Sequence, residues 1–243
     1  MTRRETGAPW ARPSAAQLRR QSDQLAPLRS RLLRGVQVAT RRRIVDLGAG
    51  HGAITAELVR RGGGSVVAVD DADDFLALDP EPFAGAKRVQ GSSDALPLPD
   101  ASVDLVVCQV ALLWMPLATT LDEVARVLAP GGALVAIEPD LGGAVSSLAG
   151  VTTVWRDALR RAGAEPDVGR VLPSMLQARG FRVRVELTPE VAPPSPESLD
   201  LLDGLPLTTE EQRTIDAARD VLDGSWSSFL WAPVFGVTGV KPG

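Results

Sequence analysis

The stretch Arg43-Ile44-Val45-Asp46-Leu47-Gly48-Ala49-Gly50-His51-Gly52-Ala53-Ile54-Thr55 decides how the rest of the chain is read. A short apolar run leads to Asp46, and glycines follow at 48, 50 and 52. The pattern predicts a buried parallel strand, a glycine turn and then a helix. Glycine admits positive φ and lets a ligand approach the main chain closely. A helix starting near His51 or Gly52 aims its first N–H groups into the turn. Asp46 stands at the strand end, two residues before the first glycine, as an acceptor for a cationic or hydroxylated ligand. Gly48-x-Gly50-x-x-Ala53 also satisfies the dinucleotide fingerprint, so the turn alone leaves the ligand open.

Working outward, Ser65–Asp70 (SVVAVD) is a second buried strand that ends in an acid. Asp70 lies where an α/β nucleotide site places a carboxylate for both ribose hydroxyls, and Asp71 follows as a second candidate. With Asp73 and Asp74 close behind, a ligand carrying a 2′-phosphate is disfavoured. Lys87–Gln90 is a short third strand and Leu105–Val110 a buried fourth one. Leu121–Leu128 reads as a helix stopped by Pro130-Gly131-Gly132. Ala133–Ile137 is a fifth strand, ending in Glu138-Pro139-Asp140. Val145–Ala162 reads as mostly helical, Asp167–Ala178 as a helix, and Phe181–Leu187 as a half-exposed strand. A proline-rich connector, 189–196, precedes a helix at Thr208–Leu222 and a last extended segment at Ser228–Val240. Before the glycine turn, residues 1–13 look loosely draped. Ser14–Arg34 is a helix candidate capped by Ser14, which Pro27 should kink or split. Strand and helix alternate, which predicts a doubly wound α/β sheet.

The 243 residues fit one large domain or one domain with a lid, and 44% hydrophobic content supplies a large core. Eleven arginines oppose only Glu5 and Asp23 in residues 1–43, a net of +9, while the whole chain carries −4. That N-terminus is open to three readings: a transit peptide, a basic arm for an anionic partner, or a solvated helix in an arginine-preferring chain. The solvated helix is preferred. The acidic remainder speaks against a nucleic-acid partner. A single cysteine, Cys108, excludes an internal disulfide and a cysteine-cluster metal site, and its setting in VDLVVCQV predicts a buried thiol. No run is long and apolar enough to span a membrane, and no secretory signal is evident, so a cytoplasmic protein is expected. No metal site is expected either.

Four blocks, VDLGAGHG, VVAVD, ALPLPDASVDLVV and EVARVLAPGGALVAIEP, resemble the class I S-adenosylmethionine-dependent methyltransferases. The likeness is to their small-molecule group, which includes the ubiquinone and menaquinone C-methyltransferases and the type 11 methyltransferases. It covers roughly residues 43–140. It implies a Rossmann-like fold whose seven-stranded sheet has the order 3-2-1-4-5-7-6, with the last strand antiparallel. The implied domains are an N-terminal arm and cap helix at 1–42 and a methyltransferase domain at 43–243, with inserted cap helices at 141–176.

The resemblance also implies the cofactor, S-adenosyl-L-methionine, with S-adenosyl-L-homocysteine as product. Its methionine half maps to Asp46, Gly48, Ala49 and Gly50, its ribose to Asp70, and its adenine to the loop after the third strand. Two departures stand out. Ser92, followed by Ser93, occupies a position that usually carries an adenine-binding Asp; Asp94 would have to rotate from a solvent-facing register to replace it. His51 fills a slot usually held by a small hydroxyl residue; it either contacts the cofactor or the pocket, or only caps the turn.

Beyond the carboxyl ends of the strands lie Gln109, a candidate for the cofactor's amino-acid end, and Glu138 and Asp140, the best-placed candidates for a base or an acceptor-orienting group. A structural acid is the preferred reading of Glu138. Methyl transfer from a sulfonium neutralises charge, so in-line placement in a dry pocket matters more than proton transfer. With no tyrosine and one histidine, a mechanism driven by either is disfavoured. Trp10, Trp114 and Trp155 are candidates for an aromatic wall around a small, largely apolar or aromatic acceptor. Competing readings are a cofactor-binding protein with pericyclic or purely binding function, an RNA methyltransferase, and a nicotinamide dehydrogenase. The acceptor and the oligomeric state, monomer or homodimer, stay open.

Overall fold

A computed structural model describes residues 13–187 and 191–243 of the chain. Its frame is one sheet built from β1 (Arg43–Leu47), β2 (Ser65–Asp70), β3 (Ala86–Gln90), β4 (Val103–Gln109), β5 (Leu128–Pro139), β6 (Arg182–Leu187) and β7 (Val234–Val240). Numbered within this sheet, the order is 3-2-1-4-5-7-6. β1 to β5 pair in parallel, and β7 runs antiparallel to both β5 and β6. The central strands are near-continuous apolar runs because helices cover both of their faces. Register places Asp46 opposite Ala68 and Val107, and Asp70 opposite Gln90. The carboxyl ends of β1, β2, β3 and β4 therefore form one rim, and the glycine turn leaves from its middle.

Two helices cover one face: α1 (Ala15–Gly35) and α2 (Ala53–Arg61). Ser14 caps α1 as the sequence predicts, accepting from Gln17 N–H while Gln17 accepts from Ser14 N–H. Pro27 does not split α1. An interior proline costs about 3 kcal/mol. Leu25, Leu28, Leu32 and Leu33 are all buried in the cluster that joins α1 to β1, β4 and β5. Burial of a leucine stabilises by about 1.5–3 kcal/mol, so four of them outweigh the proline.

On the other face lie α3 (Leu117–Val127) and α5 (Val168–Gln177). β5 starts at Leu128, earlier than Ala133, because Pro130-Gly131-Gly132 forms an irregularity within the strand; Leu128 pairs with Val103 and Ala133 with Leu105. The helix expected over 145–162 is shorter. Val145–Ser146 pairs instead with Leu230–Trp231, and α4 runs only from Val151 to Arg161. Ser147 explains the early extended stretch: its N–H donates to Phe229 O and its Oγ accepts from Phe229 N–H, each at 2.9 Å. Short hydroxyl side chains compete with helix in this way.

Residues 141–176 divide between two layers. α5 belongs to the sheet layer, with Gly169 pressed against Phe235 of β7 and the main chain of Glu138. The cap comprises α4, a 3-10 turn at Pro196–Leu202, and α6 (Thr209–Val221). Val151, Val154, Leu199, Leu202 and Ile215 share one buried cluster with Leu112, Leu113 and Leu141. The amino-terminal part of α1 reaches this cap through Gln17 Nε2, which donates to Asp200 O, and an Arg20–Asp200 ion pair.

Candidate functional site

Gly48, Gly50 and Gly52 all adopt positive φ, at +74°, +50° and +81°. A side chain at Gly48 would meet Ala111 Cβ at 2.5 Å, so the turn and the loop after β4 approach as closely as glycine allows. Over Gly50 the nearest atom to a notional Cβ is Leu18 Cδ1 at 4.0 Å, leaving a space roofed by α1. α2 then begins at Ala53 with no side chain capping its first N–H groups. Such a terminus favours a negatively charged ligand group.

Asp70 sits at the tip of β2, half-buried. Its Oδ2 accepts from Gly50 N–H at 2.9 Å and its Oδ1 from Ala72 N–H at 3.0 Å. The carboxylate is thereby fixed beside the turn with lone pairs left over for a hydroxylated ligand. Asp71 next to it is exposed. Asp46 is 1% exposed and accepts from Thr55 Oγ1 at 2.5 Å, tying the start of α2 to β1. Burial pushes its pKa up to about 7; the Thr55 bond opposes this and the nearby Asp70 charge adds to it. Ala49 is buried and His51 half-buried within the turn.

Gln109 ends β4, and its Oε1 accepts from Arg29 Nη1 at 2.8 Å. Arg29 was not singled out from the sequence, yet it is only 3% exposed. Its Nε donates to Glu57 at 2.7 Å and its Nη1 also donates to Ser22 O at 2.9 Å. Burial alone would raise the Glu57 pKa, but Arg29 and then Arg61 hold the carboxyl below its usual range. Arg29 falls on the stripe Leu25, Leu28, Arg29, Leu32, spaced as one helix face. That spacing was the available signal, hidden among eleven similar arginines.

Ser92 and Ser93 divide. Ser93 is buried and its hydroxyl pairs with Thr120 Oγ1 at 2.9 Å. Ser92 stays half-buried and donates to Asp94 Oδ1 at 2.5 Å.

Neither candidate base is free at the rim. Glu138 is fully buried; its Oε1 accepts from the N–H groups of Ala111 at 3.1 Å and Leu112 at 2.9 Å, and its Oε2 has no partner. Burial pushes its pKa up to about 8 against the opposing bonds from Leu112 and Ala111. Its structural work is to hold the loop after β4. Cys108 is buried beside it, and burial, then the Glu138 charge, pushes the thiol well up. Asp140 is 3% exposed and accepts from Arg170 Nε at 2.7 Å. Trp114 and Trp155 are half-buried and pack on the cluster that joins the loop after β4 to the cap. Trp10 lies outside the described residues.

Among the described residues, no group of acids, cysteine and histidine is placed to hold a metal, and no helix is long and apolar enough to cross a membrane.

The turn, the acid at the tip of β2 and the uncapped α2 fit a nucleoside that carries an amino-acid group. Residues 45–136 match the family model described as a methyltransferase domain. An uncharacterized methyltransferase of Mycobacterium tuberculosis is 43% identical over 96 residues, 40% of this chain and 39% of that one. A malonyl-acyl-carrier-protein O-methyltransferase of Dechloromonas aromatica is 32% identical over 135 residues, 51% of this chain and 50% of that one. The chain thus spans between about two fifths and half of the length of these relatives. In three dimensions, a methyltransferase structure from Bacillus halodurans superposes with a TM-score of 0.64 at 21% identity, covering 88% of this chain and 98% of that one. Residues 45–136 thus match a methyltransferase domain, and the chain shares its fold with solved methyltransferase structures.

Proposed function

We propose that the protein transfers a methyl group from S-adenosyl-L-methionine to a small, largely apolar or aromatic acceptor. The observation that carries this reading is Asp70, whose carboxylate is held between Gly50 N–H and Ala72 N–H at the tip of β2. The sulfonium, when bound, supplies the methyl group. In this reading Asp70 takes the ribose hydroxyls, and the glycine turn with Asp46, Gln109 and Arg29 receives the amino-acid half. Gly48, Ala49 and His51 shape that end, and Ser92 faces the base.

This chain's own contribution is placement and exclusion of water rather than proton transfer. Both carboxyls closest to the acceptor side are already engaged, Glu138 with two main-chain N–H groups and Asp140 with Arg170. Glu138 thus acts by positioning Ala111 and Leu112, and Asp140 by anchoring α5. The apolar cap and the half-buried Trp114 and Trp155 support an apolar or aromatic acceptor. The same cap argues against a macromolecular acceptor such as RNA, which needs an open basic rim.

Calorimetric titration with S-adenosylhomocysteine, followed by incubation with methyl-labelled cofactor and fractionated small-molecule extract, tests the proposal. Tight binding with label appearing in an organic-soluble product is the expected result. Binding without label transfer would point to other chemistry on the same fold. Absence of binding would refute the cofactor site.

A further inference from the structure

We propose that β6 joins a second copy of this chain edge to edge, with a two-fold axis through Val185, so that the protein forms a homodimer with one continuous sheet. The inference is independent of the cofactor reading. β6 (Arg182–Leu187) is the last strand of the sheet and pairs with β7 on one side. Among the described residues no strand pairs with its other side. The outward N–H and C=O groups of such an edge template a further strand. Val183 packs on the cluster that holds Val168, Leu172 and Leu176 of α5, and Val185 and Leu187 share that face by alternation. These two stay open to solvent, 40% and 47% exposed. On the opposite face, Glu186 Oε2 accepts from Arg31 Nε of α1 at 3.4 Å, and Arg182 and Arg184 share that face.

Charged side chains on an edge commonly block pairing with a copy, and a run of arginines would do so here. Glu186 reverses this for one register. A two-fold axis perpendicular to the sheet sets the two strands antiparallel and keeps like faces together. With Val185 on the axis, Arg184 lies opposite Glu186 of the second copy, and Glu186 opposite Arg184 of the second copy. On the other face Val183 lies opposite Leu187, and Val185 opposite itself. Moving the axis to Arg184 or to Glu186 sets that residue against its own charge. Moving it to Val183 sets Arg182 against Arg184. Opposite-charge and apolar cross-strand pairs stabilise a sheet, and directly opposed like charges destabilise it, which selects the axis at Val185. Within one chain Arg184 Nη2 lies 3.1 Å from Glu186 Oε1, but the Arg184 side chain is 74% exposed. Water screens that pair, and Arg184 is free to turn across the axis. A short strand makes a small interface, so the dimer dissociates on dilution.

Sedimentation velocity of the full chain over a concentration series tests this, with Arg184→Glu, Glu186→Arg and the double exchange Arg184→Glu/Glu186→Arg. The wild type should pass from monomer to dimer as concentration rises. Each single exchange opposes like charges at two symmetric points and should weaken the dimer about tenfold or more. The double exchange pairs opposite charges again and should return the dissociation constant to within about threefold of the wild type, a rescue that misfolding would not allow. A second measurement reads the register. Val185→Cys places two thiols across the axis on Cα atoms about 4.5–5.5 Å apart, within disulfide reach, so oxidation should yield a covalent dimer. Val183→Cys faces Leu187 instead and should yield far less. The native Cys108 is buried and does not interfere. A wild type that stays monomeric at every concentration would overturn the proposal. So would a dimer indifferent to the single exchanges, a double exchange that stays dissociated, or equal cross-linking at positions 183 and 185.

Discussion

Arg29 Nη1 donates to Gln109 Oε1 at 2.8 Å, and this bond ties the amino-terminal helix to the tip of β4. The same guanidinium pairs with Glu57 at 2.7 Å. Removing one partner of a buried pair commonly costs about 3–5 kcal/mol, because the other charge is left uncompensated. Arg61 still pairs with Glu57, so Arg29→Ala should cost somewhat less, about 2–4 kcal/mol in urea unfolding. Arg29→Met fills the space without the charge and should regain part of that stability while S-adenosylhomocysteine binding stays weak. Equal loss of stability in both variants, with unchanged affinity, would show that Arg29 serves the fold alone.

Asp46 has its pKa raised to about 7, chiefly by burial. Only its ionised form attracts the cofactor's ammonium group. Affinity for S-adenosylhomocysteine should therefore climb from pH 6 to pH 8, with the bend near 7. Asp46→Asn should flatten the curve and lie near the low-pH affinity of the wild type. A calorimetric pH series checks this, and a level profile in the wild type would remove Asp46 from the site.

Glu138 makes a prediction about stability rather than binding. Burial raises its folded pKa from 4.5 to about 8, so the folded state holds a proton that the unfolded state gives up. Its contribution is complete below pH 4.5, declines as pH rises, and is gone above about 8. Glu138→Gln keeps an acceptor for the N–H groups of Ala111 and Leu112 but cannot ionise. Chemical denaturation at pH 5 and pH 8 should show a smaller drop for the variant than for the wild type. Parallel drops would show that the buried carboxyl does not titrate in this range.

Gly48 is constrained twice, by a φ of +74° and by Ala111 Cβ, which would lie 2.5 Å from an added methyl. Gly48→Ala should therefore cost about 1–3 kcal/mol and displace the loop after β4. Gly131 also has positive φ, +75°, but meets nothing within 4 Å. Gly131→Ala should lower the melting temperature less. Equal effects would mean that backbone strain, not the packing against Ala111, sets the cost at Gly48.

Much of this was legible in the linear chain because it depends on neighbours in sequence. The glycine spacing at 48, 50 and 52, the acids that end β1 and β2, and the apolar runs of β1, β2, β4 and β5 act through local backbone geometry and strand burial. Those features, with the family likeness they carry, foretold the parallel sheet and its order. Other features depend on residues far apart, and only the folded chain decided them. Arg29 reads as one arginine among many until α1 lays it against Glu57 and Gln109. Glu138 reads from the sequence as a structural acid before a candidate base, but what it holds, the N–H groups of the loop after β4, appears only when that loop closes over its Oε1. The cap drew on residues 191–233, whose short apolar spacings carry no meaning until α4 offers them a surface to bury. A side chain's environment is set by what packs against it, and burial decides whether a charged group binds a ligand, braces a loop or keeps its proton.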